Sequence, residues 1–586
     1  MTSSAHSLTE IQRQIDEVGR FLAISLSIAN AHTVEFYTHD VWSRFVAVPP
    51  QEVLSTISSG PDQQREPEHK AHEQSRTTFG FCNDTRRLVD THELLHAAKA
   101  HSLPGLGVCM SRDELLQAVR EKRDEIGAAL EPDEFMNSKK SHEVQSMSEV
   151  VACLAQRCGV KQVIDVGSGK GYLSSFLSLQ YGLQVYGIDS SSTNTHGAQE
   201  RNRKLKKFSR VYQNHIKAVT AQGVAAHSPQ EELVEIKPGM NGDGDVLYGD
   251  GAGSVSQEEV LIALSDVSAA VGRHSEPNPE TEELFLSAMS VDVIQTPSPR
   301  VPPSQLSAEE RERRRRENLE RKAQNRTDSA STMFSPLTSY ITAETELREL
   351  IDELEDAVLV GLHTCGDLAP STLRMFVAKP ELAAVCSVGC CYHLLSEEFD
   401  PAGQECVHGA CGFPLSQHLR DQSWFCGRNA RMSACLALER VSAGQGIQME
   451  SLFYRAVLHV VLRDHYSSFK SEKRVGNVYA KAKSFVEYVR RALRRLELDE
   501  SKLSDSDIQR YHDTYRPRID EMIAFNMLKV TLAPCIEGLI LLDRLCYLKE
   551  QKDLSFSALV QLFDPLLSPR CYAVVGLKSY EGRISC

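Results

Sequence analysis

The stretch KQVIDVGSGKGYLSSFLSLQYGLQVYGIDSS, residues 161–191, leaves this chain few ways to fold. An apolar run over 162–166 leads into a glycine-rich turn, a helical pattern over 171–181 and a second apolar run over 184–188. That order predicts a strand–turn–helix–strand unit, hence parallel strands with a right-handed crossover. The turn reads Asp165-Val166-Gly167-Ser168-Gly169-Lys170-Gly171. Its glycines permit positive φ and a close approach of backbone to ligand. Such a turn lies at the carboxyl edge of a parallel sheet, where open α/β folds bind ligands. Asp189 ends the second strand 24 residues after Asp165, so both acids face the same edge.

The spacing narrows the ligand. A dinucleotide fingerprint is G-x-G-x-x-G, with pyrophosphate on the helix N-terminus. Here an acid leads, in the order D-x-G-x-G-x-G. A carboxylate at that place repels pyrophosphate and suits the cationic methionine moiety of S-adenosyl-L-methionine. Asp165, Gly167, Ser168, Gly169 and Gly171 are therefore expected to hold that cofactor, with Asp189 accepting from both ribose hydroxyls. The bland alternative, a tight turn with no ligand, leaves the second acid unexplained, and the spacing disfavours a dehydrogenase.

Five regions follow along the 586 residues. Residues 1–130 read as helical. Residues 131–219 hold the first part of a doubly wound α/β domain, with a helix from Ser141 to Cys158, Ser141 as its N-cap, and another from Ser192 to Lys207. Residues 220–335 lose periodicity, are rich in Ser, Gly, Pro and Glu, and are expected to form a mostly disordered insert. Residues 336–400 resume the sheet with strands at 356–367 and 383–395. Residues 401–586 read as helical, with a final strand at 568–579 returning to the sheet. The apolar stretch Met527–Leu548 is interrupted by Lys529, Pro534, Glu537 and Asp543 and reads as buried helices. No transmembrane span is expected. The N-terminus lacks the pattern of a secretory signal, so an intracellular, cytoplasmic or nuclear location with reduced thiols is expected.

The segments KKSHEV (139–144), VIDVGSGKGYLS (163–174), LVGLHTCGDLAPS (359–371), SVGCCYH (387–393) and GFPLS (412–416) together resemble the methyltransferase-like protein 25 family. The resemblance covers most of the chain outside the insert. It implies a class I methyltransferase fold and an S-adenosylmethionine-dependent methyltransferase without a settled substrate. More distantly, His363-Thr-Cys365-Gly366 and Cys390-Cys391-Tyr392-His393 are similar to the His-Leu-Cys-Gly and Cys-Cys-His stretches of the tRNA 2′-O-methyltransferases that act on the acceptor stem. One residue differs in each motif, and the zinc-finger elements of that group are not evident.

These likenesses make His363, Asp367, Cys391, Tyr392 and His393 the catalytic candidates. A His or Asp can take a proton from the acceptor, and Tyr392 can shape an aromatic slot. Cys365 and Cys390 flank them, as pocket lining, as buried packing, or, for Cys365 or Cys391, as a nucleophile. Lys139, Lys140 and His142, with Glu143, are expected to cap the cofactor pocket, or else to form a solvated helix start. No metal is expected, because Cys406-x-His408-x-x-Cys411 lacks the paired spacing of a zinc site.

The net charge of −14 means that any nucleic-acid contact must use local patches. Such patches lie among Arg201, Arg203, Lys204, Lys206, Lys207 and Arg210, among Arg311 and Arg313–Arg316, and among Arg490, Arg491, Arg494 and Arg495. Solvated helix faces are the commoner explanation. The reading reached from sequence is methyl transfer to a macromolecule, RNA slightly ahead of protein. The alternative is a catalytically inactive binding or scaffold protein on the same fold. The sequence leaves oligomeric state open.

Overall fold

The computed structural model describes residues 6–60, 76–120, 136–203, 334–406, 409–436, 438, 441, 449–466, 475–476 and 478–579. Most of the expected insert, and with it Lys204–Arg210, Arg311–Arg316 and His408, lies outside these residues.

Eight strands form the central sheet: β1 (Cys109–Ser111), β2 (Gln162–Val166), β3 (Gln184–Asp189), β4 (Ser335–Thr338), β5 (Ala357–Cys365), β6 (Leu382–Cys390), β7 (Leu554–Gln561) and β8 (Tyr572–Lys578). Their spatial order is β1-β7-β8-β6-β5-β2-β3-β4. Strands β4, β3, β2, β5 and β6 run parallel, whereas β8 is antiparallel to both β6 and β7. The chain passes from β2 outward to β3 and β4, then returns to β5 on the other side of β2. The order of connection reverses there, the point at which open α/β sheets carry a crevice at the carboxyl ends of their strands, here those of β2 and β5.

Side chains alternate between two buried faces, as a sheet covered on both sides requires. Ile164, Ile188 and Leu359 belong to one core, and Val163, Val185, Val358 and Val360 to the other. Helices α2 (Ser138–Cys158) and α3 (Tyr172–Tyr181) cover the second face through Val144, Met147, Val151, Leu173 and Leu177. The first face is covered by α4 (Leu368–Ala378) and by the 31-residue α5 (Ile519–Lys549), against which α1 (Leu8–Asn30) packs in turn. Burial at roughly 25 cal/mol per Å² of apolar surface holds these layers together.

Several expectations are revised. Asn137, not Ser141, caps α2, accepting from Lys140 N at 2.8 Å, so the helix begins at Ser138. Residues 192–203 are helical as expected, and β4 shows that Ser335 already belongs to the sheet. Two strands return from the C-terminal region rather than one, and the N-terminal region supplies β1 at the edge. The linear regions 1–130 and 401–586 share one core. Asn30 Nδ2 donates to Cys426 O at 2.8 Å, and its Oδ1 accepts from Ala430 N at 3.0 Å.

The stretch 527–548 is part of one continuous helix through Pro534, and each of the three charged interruptions has a tertiary partner. Lys529 Nζ donates to Ala31 O. Glu537 accepts from Tyr392 Oη at 2.8 Å and Arg570 Nη1 at 2.7 Å. Asp543 accepts from Leu415 N, Ser416 N and Ser416 Oγ at 2.7, 2.9 and 2.6 Å. The most apolar window of this helical stretch is 83% buried within the protein, so it is a core helix.

Candidate functional site

The glycine-rich turn follows β2 directly. Gly167, Gly169 and Gly171 adopt φ of 70°, 56° and 72°, a region that other residues enter at a cost. Their reasons differ. A Cβ on Gly171 would lie 2.3 Å from the Phe334 ring, and one on Gly167 would press on Leu368 and the His363 carbonyl. A Cβ on Gly169 would meet nothing within 4 Å, so this glycine borders open space. Gly167 N and Ser168 N both donate to Ile188 O, at 2.8 and 3.2 Å, which seats the turn over β3. Gly187 permits that seating: a Cβ there would be 3.0 Å from Ser168 Oγ and 3.1 Å from Ser174 Oγ. The sequence reading passed over Gly187, although a glycine inside a strand is the usual sign of such an approach.

Asp165 is 1% exposed. Its Oδ2 accepts from Ser174 Oγ at 2.6 Å, while its Oδ1 and the neighbouring Ser168 Oγ have no hydrogen-bond partner. Burial, reinforced by the nearby Asp189, pushes the Asp165 carboxyl up to about 7 against the Ser174 hydroxyl and Lys140. Asp189 ends β3 on the same edge. Its Oδ2 accepts from Gly169 N at 3.0 Å, and its Oδ1 accepts from Ser191 N at 2.8 Å and Asn194 Nδ2 at 3.2 Å. With both lone pairs of Oδ1 engaged, Asp189 keeps room for one further donor, on Oδ2. Acceptance from two ribose hydroxyls would need Ser191 or Asn194 to yield.

Across the crevice, α2 meets β5. Glu143, fully buried, places Oε2 2.9 Å from Lys140 Nζ and 3.2 Å from His363 Nε2, and its Oε1 accepts from Ser568 Oγ at 2.8 Å. Lys140 Nζ and His363 Nε2 are 2.9 Å apart. Burial alone would raise the Glu143 carboxyl, but His363 and Lys140 outweigh it and hold it far below the usual carboxylate range. Lys140 thus joins the rim, and Glu143 is its hub. His142 goes elsewhere: its Nε2 accepts from Asp564 N at 2.9 Å and its ring meets Phe563 edge-on. Lys139 is half-buried in the same helical turn.

The catalytic candidates divide. His363 stands at the rim. Asp367 Oδ1 accepts from Ser396 N at 2.8 Å, which fixes the loop after β6. Cys391, at φ 50°, brings its sulphur to those of Cys365 and Cys390, all within 4.8 Å of one another. Tyr392 is not an aromatic slot. It is 1% exposed, bonded to Glu537, with Arg544 and Arg570 over its ring at 5.6 and 5.7 Å. His393 is 7% exposed, its Nδ1 lying 3.8 Å from Cys435 Sγ, and is a core residue too. Cys406 is exposed and Cys411 buried.

The described arginines of the basic patches are engaged. Arg201 lies 4.0 Å over the Tyr172 ring, and Arg203 pairs with Glu200. Arg490 pairs with Asp505, Arg491 with Glu487 and Arg494 with Glu500, while Arg495 packs against Gly476.

A family model described as a methyltransferase domain matches residues 139–398, a span that runs from the start of α2 past β6. The human protein "Probable methyltransferase-like protein 25" is 46% identical over 599 residues, covering 98% of this chain and 98% of its own. The mouse protein of the same name is 48% identical over 576 residues, with 95% of each chain covered. No solved structure matches.

Proposed function

Because this chain belongs to the methyltransferase-like protein 25 family and is a methyltransferase, we propose that it takes its methyl group from S-adenosyl-L-methionine and delivers it to a macromolecule, RNA ahead of protein. The observation that carries the cofactor reading is the bare Oδ1 of Asp165, at the head of the turn whose Gly169 faces open space. A buried carboxylate oxygen without a donor costs about 1–3 kcal/mol, and a cationic amino group would recover it. Bound there, the cofactor supplies an electrophilic methyl on a sulfonium.

The chain's own groups have distinct tasks in this reading. Asp165 Oδ1 and Ser168 Oγ receive the amino-acid end. Asp189 Oδ2 accepts one ribose hydroxyl and keeps Gly169 N in place. In the tautomer whose Nε2–H donates to Glu143, His363 keeps Nδ1 to take the acceptor's proton. Lys140, sharing Glu143, adds positive charge to the rim. Positioning of the acceptor in line with the methyl group supplies much of the rate.

The preference for RNA rests on the likeness of the His363–Gly366 and Cys390–His393 motifs to RNA-modifying enzymes. The engaged arginines at 490–495 do not add to it. Calorimetry tests the first claim: saturable binding of S-adenosylmethionine is expected, and its absence overturns the reading. Tritiated methyl transfer into fractionated extract tests the second. Label removed by nuclease is expected, and label removed only by protease assigns the acceptor to protein.

A further inference from the structure

The three sulphurs of Cys365, Cys390 and Cys391 are unused by the reading above. Cys365 and Cys390 are register partners, the last residues of the neighbouring parallel strands β5 and β6. Their sulphurs are 2.9 Å apart. The next residue, Cys391, turns into the left-handed region at φ 50°, unusual for a side chain other than Gly or Asn, and this turn brings the third sulphur to the same point. All three lie within 4.8 Å of one another, the one such group of potential metal ligands among the described residues. We propose that Cys365, Cys390 and Cys391 hold a thiophilic divalent ion of the zinc class at the carboxyl edge of β5 and β6, with the fourth position open on the Cys365 side.

Geometry and charge support the assignment independently. Thiolates bound at about 2.3 Å in a tetrahedral site stand about 3.8 Å apart; here Cys365 and Cys390 are closer, at 2.9 Å, and every pair lies within 4.8 Å, so a modest opening of that pair admits the ion. Cys390 and Cys391 are buried while Cys365 reaches solvent, so a water or substrate atom has one way in. When the ion binds, three thiols release three protons, and the site carries one net negative charge. A cation already waits for it. Arg544 is 2% exposed, its Nε and Nη2 have no hydrogen-bond partner, and a Cβ on Gly389, one residue before Cys390, would be 2.2 Å from its Nη1. The adjacent carboxylate, Asp543, is already engaged by three donors. An anionic metal–thiolate group beside Gly389 would balance this buried guanidinium, as buried charges require.

The site does not depend on the methyl-donor reading and is tested apart from it. Full-length protein is stripped with chelator under reductant and titrated with cobalt(II). One equivalent is expected to produce a thiolate-to-cobalt charge-transfer band, which zinc then abolishes. Cys365→Ser, Cys390→Ser and Cys391→Ser should each weaken or remove the band, and Cys82→Ser, in the separate strand pair Thr77–Thr78 and Phe81–Cys82 and outside the sulphur group, should keep it. The wild-type titration needs no variant to fold. No band while all sixteen cysteines count as free thiols overturns the proposal. So does a band that survives all three serine variants, or a Cys365–Cys390 disulfide found by peptide mapping.

Discussion

Asp165 and Asp543 are buried alike, each 1% exposed, yet their surroundings differ. Asp543 accepts from two backbone amides and a hydroxyl, and thereby fastens α5 to the loop at Leu415–Ser416. Asp165 has one hydroxyl on Oδ2 and nothing on Oδ1. Burial raises both carboxyls, to about 6 and about 7 respectively. The difference separates architecture from function. A buried acid with its donors supplied holds two elements together. On the function proposed above, one left half-supplied at the sheet edge is a cost the fold bears until a ligand arrives.

The contrast can be broken by substitution. Asp165→Ala is expected to abolish S-adenosylmethionine binding by calorimetry without lowering the melting temperature, and retained affinity would remove the distinction. Asp543→Ala should do the reverse, losing about 3 kcal/mol in urea unfolding as three donors become unpaired, with cofactor affinity of the folded protein unchanged. A loss below about 1 kcal/mol would show that Asp543 is not a fastening.

The third test sharpens the comparison through pH. Asp165 titrates near 7 in the fold and near 3.9 in an unfolded chain. The native state therefore binds the extra proton between those values, and stability is lost as pH rises through that window. Asp165→Asn removes this dependence. Its stability relative to wild type should improve from pH 5 to pH 8 by on the order of 1–3 kcal/mol, and an unchanged difference would contradict the raised carboxyl.

The smallest effect concerns a buried cation. Burial lowers the Lys529 ammonium to about 7, below its unfolded value, so the native state binds fewer protons above neutrality and gains stability as pH rises. Lys529→Met should remove that gain, lowering the difference between pH 6 and pH 9 by about 1 kcal/mol or more in denaturant melts. An unaltered slope would assign the pH dependence to other groups.

The sheet's first unit was legible because its signals are local. Apolar strand, glycines, helix and second acid follow one another between residues 162 and 189, and β2, α3 and β3 lie where the pattern puts them. What was misread depends on distant partners. Tyr392 belongs to the core through Glu537, 145 residues away. The helix passes Pro534, and Lys529, Glu537 and Asp543 find partners on three different elements. The cysteine group escaped spacing rules because strand register, not a short sequence interval, joins Cys365 to Cys390. Strand β1 is three residues long, too short to show a period.

Asn202 and Phe334 have a further meaning. Asn202 Nδ2 donates to Phe334 O at 2.7 Å, so the chain leaves the sheet and re-enters it at a single clasp. The clasp also touches the glycine-rich turn, since the Phe334 ring fills the place of a Gly171 side chain. A force or a binding event that shifted this doorway would be felt first by the glycine-rich turn after β2.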